Sequence, residues 1–510
     1  MNMKRCRNPI LAAAVAAALL GGCAVGPNYH RPSAPVPTRF KEAQGWKPAE
    51  PREVASGSDW WSVYEDQTLD GLEKQIDVSN QTLKASEASW REAVALIAEA
   101  RSEFFPIIGV TATGTRSGGP GASAANVGAG AAAAALSRPK NQFELAGTGS
   151  WDIDIWGKIR RTLEANIASA RASEAELAAA RLSAQATLAS DYIELRVSDE
   201  QQQLLDETVE AYKRSLQITQ NQYKVGVAAK TDVITAETQL EGAESQQIAV
   251  GVTRATLEHA LAVLVGKPPG DFALPRATLG TLVPVVPLGV PSALLERRPD
   301  IAAAERTVAA ANAEIGVNVA GYFPQVTLTG EAGTQAVEFS QLFSGPTFFW
   351  SVGPEIAQTL FNGGKTHGLV QESQESYQAD VAAYRQTVLT AFQQVQDNLT
   401  GLLVLKDELV ASQSAVKSAQ TSLDVATNEY KAGTEDYLFV ITAQATLLSD
   451  QVNEVNLRTR EMTTAVLLVQ ALGGGWDKSM MPNTHQVSDV PEAQAQINNA
   501  KPAALPAAKP

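Results

Sequence analysis

The stretch FELAGTGSWDIDI, Phe143 to Ile155, alternates without a break. Odd positions carry Phe143, Leu145, Gly147, Gly149, Trp151, Ile153 and Ile155; even positions carry Glu144, Ala146, Thr148, Ser150, Asp152 and Asp154. A period of two puts the two sets on opposite faces of a β-strand. At 3.3 Å per residue the stretch spans about 43 Å, far longer than the roughly 5–6 residues of an ordinary strand. Two more segments repeat the pattern. Ile108, Val110, Ala112 and Gly114 alternate with Thr111, Thr113 and Thr115, and Val326, Leu328, Gly330 and Ala332 with Thr327, Thr329 and Glu331. A fourth, aromatic-rich segment runs from Phe348 to Phe361. The predicted strands are 106–116, 142–155, 324–335 and 347–361. Phe104, Phe105, Trp151, Trp156, Tyr322, Phe323, Phe348 to Trp350 and Phe361 gather at their ends. Long alternating strands with aromatic ends fit the wall of a transmembrane β-barrel. Four strands cannot close a barrel, and open edges leave N–H and C=O groups unsatisfied in hydrocarbon. The sheet is therefore expected to close with further copies, two chains giving eight strands or three giving twelve.

The rest of the chain is mostly helical. Lys158 to Lys224 has no Pro or Gly and is rich in Ala, Glu, Gln and Leu, which predicts a helix about 100 Å long. His367 to Lys431 is similar, with Gly401 as its one glycine after the first turn. Leu205, Val209, Tyr212, Leu216, Thr219 and Tyr223 step by four and three, as do Val388, Phe392, Val395, Leu399 and Leu402, each a coiled-coil seam. Shorter helices are expected at 81–104, 232–265, 299–321 and 436–472, pairing end to end beside the long ones.

The pattern occurs twice. YKVG at Tyr223 and YKAG at Tyr430 are each followed by a matching helix, VITAETQL and VITAQATL. The chain divides into a first repeat, 69–270, with a hairpin at 158–266, and a second, 299–475, with a hairpin at 363–472. A linker, 271–298, joins them, and 476–510 reads as a flexible tail. The Gly/Ala/Ser-rich stretch from Ser117 to Asn141 lies between two strands and reads as an extracellular loop.

Residues 1–22 read as a lipoprotein signal: Lys4, Arg5 and Arg7, then an apolar run from Ile10 to Leu20, then Gly-Gly before Cys23. Cys23 is expected to carry a covalent lipid, with 23–68 an extended, lipidated N-terminal segment. Ala24 after it, in place of Asp, favours the outer membrane. Losing the signal removes three basic residues and no acid, so the mature chain is more negative than the −14 of the whole. That balance argues against nucleic acid as a partner. With Cys6 lost and Cys23 lipidated, no thiol remains for a disulfide. His30, His259, His367 and His485 lack metal-ligand spacing, so neither metal nor other cofactor is expected.

Several motifs together resemble one family. CAVGPNYHRP from Cys23, WDIDIWGKIRR from Trp151, LLERRPDIAAAE from Leu294, LFNGGK from Leu360 and the two YK-x-G turns are similar to the TolC/OprM outer-membrane efflux factors, nearest the NodT-type lipoprotein branch. The resemblance covers Cys23 to about Gly475. It implies a homotrimer with a twelve-stranded barrel above a periplasmic helical barrel. It also implies a passive conduit that exports small molecules delivered by a resistance-nodulation-division pump through a periplasmic adaptor. The two turns would lie at the periplasmic tip, with Val225, Gly226, Val227, Ala432, Gly433 and Thr434 docking the adaptor. Thr231, Asp232 and Tyr430 match linking positions of the closed tip, and Leu438 matches a hydrophobic gate ring. The chain departs from the pattern at Thr442, where relatives carry an acid, and at Glu435, where TolC carries a base. A replacement link from Lys230 to Glu435 or Asp436 is expected, and without an acidic ring block by multivalent cations should be weak.

As a turn alone, YK-x-G suits any helical hairpin: Gly takes the left-handed cap, and Thr231, Asp232, Thr434, Glu435 and Asp436 restart the next helix. An enzyme is not indicated. GGKT at Gly363 hints at a phosphate loop, but Thr359 stands where that motif needs its first glycine. A periplasmic coiled-coil adaptor lipoprotein would lack the long strands. A type I protein secretion duct would share them and remains the alternative function.

Overall fold

The computed structural model describes residues 24–37, 40, 59–118, 139–278 and 294–477. A short turn of 3-10 helix, Trp60–Tyr64, precedes α1 (Gln67–Ser79) and α2 (Gln81–Ser102). Then come β1 (Ile107–Ser117), β2 (Lys140–Asp152), α3 (Lys158–Lys224) and α4 (Lys230–Leu264). A single helical turn, Leu294–Arg297, leads into α5 (Pro299–Ala320), β3 (Gln325–Ala336), β4 (Phe348–Ala357), α6 (Lys365–Ala432) and α7 (Tyr437–Ala471). Cys23, the leader before it, residues 119–138 of the expected loop and residues 478–510 of the expected tail lie outside the described residues.

The four strands form one antiparallel sheet in the order β1-β2-β3-β4. Its register separates two chemistries. Val110, Gly147, Ala332 and Trp350 lie opposite one another in one row; Gly109, Thr148, Glu331 and Ser351 form the next. One face is thus apolar, and the other carries Glu144, Asp152, Glu331 and Glu355 among Thr and Ser. Ile108 and Trp350 on the apolar face are 81% and 68% exposed in the single chain. The outer edges of β1 and β4 have no partner within it.

Two strands end sooner than their alternation predicts. β2 stops at Asp152 because Asp154 is taken by the helix that follows: its carboxylate accepts the N–H groups of Ile159 at 3.1 Å and Arg160 at 3.0 Å. β4 stops at Ala357, opposite the first residue of β3, Gln325. Leu360 and Phe361 then stand free, 92% and 89% exposed. At the other end β1 reaches Ser117 and β2 starts at Lys140, so the strands take both ends of the expected loop.

Below the sheet the helices make four parallel struts. α3, 67 residues long, and α6, 68 residues long, each span about 100 Å. α2 and α4 line up along α3, while α5 and α7 lie between α3 and α6. Both composite struts are joined the same way. Asn80 caps α2 by accepting the N–H of Leu83 and donates to the carbonyl of Leu264 at 2.8 Å. Arg298, before α5, donates to the carbonyl of Ala471 at 2.9 Å and pairs with Asp300. Val388, Val395 and Leu399 of the α6 seam are fully buried. Among the described residues no helix is long and apolar enough to cross a membrane.

A belt surrounds the struts, and little in the periodicity of the chain announces it. Residues 24–37 run extended, but the expected 23–68 segment is not extended throughout. Trp60 and Trp61 are buried against α1 and α3, and Asp66 caps α1 through Thr68 at 2.7 Å. The connector Leu274–Ala277 is clasped by α3 and α4. Asp199 accepts from Ala277 N–H and Arg254, Arg196 donates to the Pro275 carbonyl, and Glu258 accepts from Leu274 N–H. Trp476 packs on Ala175, Ala302 and Ala303, so the fold extends into the expected tail.

The N-terminal strap begins beside the sheet. Val25 N–H donates to the Trp156 carbonyl at 3.0 Å, and Ala24 lies against Gly157. The strap crosses α5 where Gly26 meets Gly316, and Asn312 then donates to the Pro27 carbonyl. Further on, Tyr29 donates to Glu305 at 2.6 Å, Arg385 donates to the Ser33 carbonyl, and Phe40 is buried against α6.

Candidate gate at the hairpin tip

The two YK-x-G turns are the far ends of the α3–α4 and α6–α7 hairpins. Gly226 has φ 79° and Gly433 φ 75°, the left-handed region that closes a helix without Cβ strain. Behind each glycine the next N–H reaches back to the helix, Val227 to the Gln222 carbonyl at 2.9 Å and Thr434 to the Glu429 carbonyl at 3.1 Å. A Cβ built on either glycine meets nothing within 4 Å. The glycines are required by the backbone, and the surface around them is open. Val225 and Val227 are 74% and 73% exposed, and Ala432 and Thr434 are exposed as well.

The helix restarts match expectation in part, with Asp232 in the first turn of α4 and Asp436 at the N-cap position of α7. Ala229 is the N-cap of α4, and Asp232 sits three residues in, accepting the Ala229 N–H at 3.0 Å. The carboxylate of Asp232 therefore serves its own helix, and Thr231 is exposed beside it. At the other turn Asp436 is the N-cap position of α7 but makes no side-chain cap bond. Thr434 serves the preceding helix, its hydroxyl donating to the Glu429 carbonyl at 3.0 Å.

The expected link from Lys230 to Glu435 or Asp436 is absent: among the described residues no ion pair joins them within the chain. The reason is in the packing, since α7 lies along α3 and hardly touches α4, the helix that Lys230 begins. The hairpins are joined instead through tyrosines. Tyr430 hydrogen-bonds to the side-chain carbonyl of Gln222. The hydroxyls of Tyr437 and Ser215 lie 2.7 Å apart. The two rings approach to 5.0 Å between centroids. Around them Ala236, Ala426, Val440, Ile441 and Ala443 form a small core. Burial, with the nearby Asp232 carboxylate, raises the pKa of Tyr430 above its usual value, so its hydroxyl stays protonated.

Leu438 and Phe439 follow Tyr437 and are 65% and 56% exposed. Thr442 lies one turn on, its hydroxyl donating to the Leu438 carbonyl at 2.8 Å. It also lines a groove of about 540 Å³ between α6 and α7, with Phe439, Ser422, Val425 and Thr446. Sequence reasoning placed Tyr430 at the tip but missed Gln222, Ser215 and Tyr437. Ser215 and Gln222 share a face of α3 at a heptad step, whereas Tyr430 and Tyr437 lie on either side of the turn, so no periodicity of the chain pairs them.

Known proteins share this architecture. The family described as outer membrane efflux protein matches residues 72–267 and 290–474. The toluene efflux pump outer membrane protein TtgC of Pseudomonas putida is 30% identical over 470 residues, spanning 92% of this chain and 96% of its own. The antibiotic efflux pump outer membrane protein ArpC of Pseudomonas putida is likewise 30% identical over the same shares of both chains. Among solved structures, the outer-membrane channel OprN superposes with a TM-score of 0.81 at 28% identity, covering 89% of this chain and all of that one.

Proposed function

From the premise that the chain belongs to the outer membrane efflux protein family, we propose that it works as a trimeric conduit for small molecules. The chain is an outer-membrane channel subunit of a tripartite efflux system. The observation that carries the trimeric reading is the sheet: four long strands, apolar on one face and polar on the other, with both edges unpaired. In a membrane those edges must be satisfied. Each copy presents β1 with α2 and α4 at one side and β4 with α6 at the other, so copies join side to side. Three copies give twelve strands, wide enough for a lumen. The polar face then lines the pore and the apolar face meets lipid.

The conduit binds no cofactor and performs no chemistry. A periplasmic adaptor docks at the exposed tip around Val225, Gly226, Val227, Ala432, Gly433 and Thr434, and an inner-membrane pump supplies cargo. Cys23 carries the lipid anchor. Its neighbour Ala24 packs at Gly157, beside the aromatic pair Trp156 and Phe323 at the foot of the sheet, which is where an acyl chain would enter the bilayer. Small-molecule cargo is favoured over secreted protein because the relatives are named for toluene and antibiotic efflux.

Deleting the gene in its native host and restoring it on a plasmid tests this reading. Susceptibility to aromatic solvents and amphiphilic antibiotics should rise on deletion and return on complementation. Unchanged susceptibility to all of them, with loss of a secreted protein from the medium, would favour the secretion duct.

A further inference from the structure

We propose that a recess at the second splice, where α7 hands over to α5, is a cargo-binding site on the tunnel wall that holds small amphiphilic organic cations. Its place on the tunnel wall rests on the reading of the chain as a channel; the binding itself does not.

The recess has a volume of about 470 Å³ and lies between α3 and α6, across the junction of Ala471 with Pro299. That is room for a small organic ligand. Two helices show which way it faces. On α3, Ser183 lines the recess, and Tyr192, nine positions on, turns to the belt and donates to Asp66 at 2.6 Å. On α6, Gln394 lines the recess, and Arg385, nine positions back, donates to the Ser33 carbonyl of the strap. At 3.6 residues per turn, a step of nine is about two and a half turns, so each pair points to opposite sides of its helix. The recess therefore opens away from the belt and the strap. In a barrel that the belt surrounds, that side is the lumen.

The charge in the recess is unbalanced. Arg298, 8% exposed, is spent on Asp300 and on the Ala471 carbonyl, so its charge and that of Asp300 cancel. Asp397 has no such counterpart. Its carboxylate is exposed, accepts from the Gln393 amide at 3.3 Å and makes no ion pair among the described residues. Beside it the side chain of Leu467, 44% exposed, forms an apolar wall, and the amides of Asn398 and Gln470 complete the lining. A carboxylate without a cation next to uncovered hydrocarbon suits one kind of guest, a positive charge carried on an apolar body. A metal ion asks for several oxygen ligands, and no group of three candidate ligands occurs among the described residues. One exposed carboxylate holds such a guest weakly, and a conduit needs binding that still lets its cargo leave.

The test is equilibrium binding of ethidium to the full mature protein extracted in mild detergent. Binding is followed by fluorescence anisotropy against a micelle-only background, and the mass of each preparation is recorded. Wild type should bind saturably. Asp397→Asn should weaken binding roughly fivefold, as an exposed charge pair allows, while Asp397→Glu should stay within about twofold. Leu467→Ser should weaken it as well. Raising salt from roughly 0.1 to 1 M should bring wild type down towards Asp397→Asn, because screening removes the same attraction. Equal affinity in wild type and Asp397→Asn would overturn the site, as would the absence of saturable binding by wild type. Asp397-dependent binding by a protein that extracts as a monomer would uphold the site and contradict the channel reading.

Discussion

The side-chain amide of Asn80 donates to the backbone carbonyl of Leu264 at 2.8 Å, tying the end of α4 to the start of α2. Arg298 does the same for Ala471 and α5 in the second repeat. The duplication is thus visible as two splices, each making one long strut from two short helices. Asn80 is 5% exposed and also caps α2. Asn80→Ala should cost about 2–3 kcal/mol, from the lost cap and the orphaned carbonyl. Thermal melting followed by circular dichroism should show a lowered midpoint, and an unchanged one would mean the splice is idle.

Gly26 and Gly316 form the crossing of the strap over α5. A Cβ on Gly26 would stand 2.4 Å from the Gly316 Cα, and Gly26 has φ 91°. One on Gly316 would stand 2.8 Å from Cγ of Arg161, a buried side chain that donates to the Val25 and Gly26 carbonyls and to Asn28 of the strap. Gly26→Ala should therefore lift the strap directly, and Gly316→Ala should loosen it by displacing the Arg161 side chain that holds it. Limited proteolysis after residue 26 should be faster in both variants than in wild type, and wild-type rates in both would contradict the crossing.

Glu73 in α1 is fully buried and neither carboxylate oxygen has a hydrogen-bond partner among the described residues. Burial, with Asp77 and Asp70 nearby, pushes its pKa up to about 9 from 4.5. The folded state holds a proton that the unfolded state has lost between those values, so stability falls as pH rises from about 4.5 to 9. Glu73→Gln keeps the neutral shape. The variant should match wild type near pH 4 and exceed it in unfolding free energy at pH 8, the gap widening with pH. Parallel stability curves for the two proteins would contradict the assignment.

Lys230 is exposed and makes no ion pair with Glu435 or Asp436 in the chain. Lys230→Glu should leave resting conductance within about twofold of wild type, the range of an exposed charge pair worth roughly 0–1 kcal/mol. A large increase would restore an ionic link at the tip, one made between neighbouring copies.

Much of this fold is legible in the sequence because it rests on periodicity. The Phe143 stretch announces a two-faced strand, and Lys158 to Lys224 reads as one helix end to end. What stays hidden is set by partners. Where β4 stops depends on where β3 begins, and the run of aromatics continues past that point to Phe361. α1 is short and contains Gly71, and its stripe of Leu69, Leu72 and Ile76 spans only about two turns; it folds because Asp66 caps it and Trp60 and Trp61 cover it. At the tip, resemblance pointed to Tyr430, whose contact with Gln222 is present, and otherwise to Thr231 and charged residues in the turns. The second contact falls instead on Ser215 and Tyr437, whose meeting depends on the register between two hairpins, which neither hairpin encodes alone.

The most direct test of the trimeric channel is the mass of the mature protein extracted from outer membranes in mild detergent, measured by native mass spectrometry. The account predicts three copies, each starting at Cys23 and heavier than the polypeptide by a covalent lipid. A monomer or dimer at the same detergent condition, or a protein recovered from the periplasm without detergent, would contradict it.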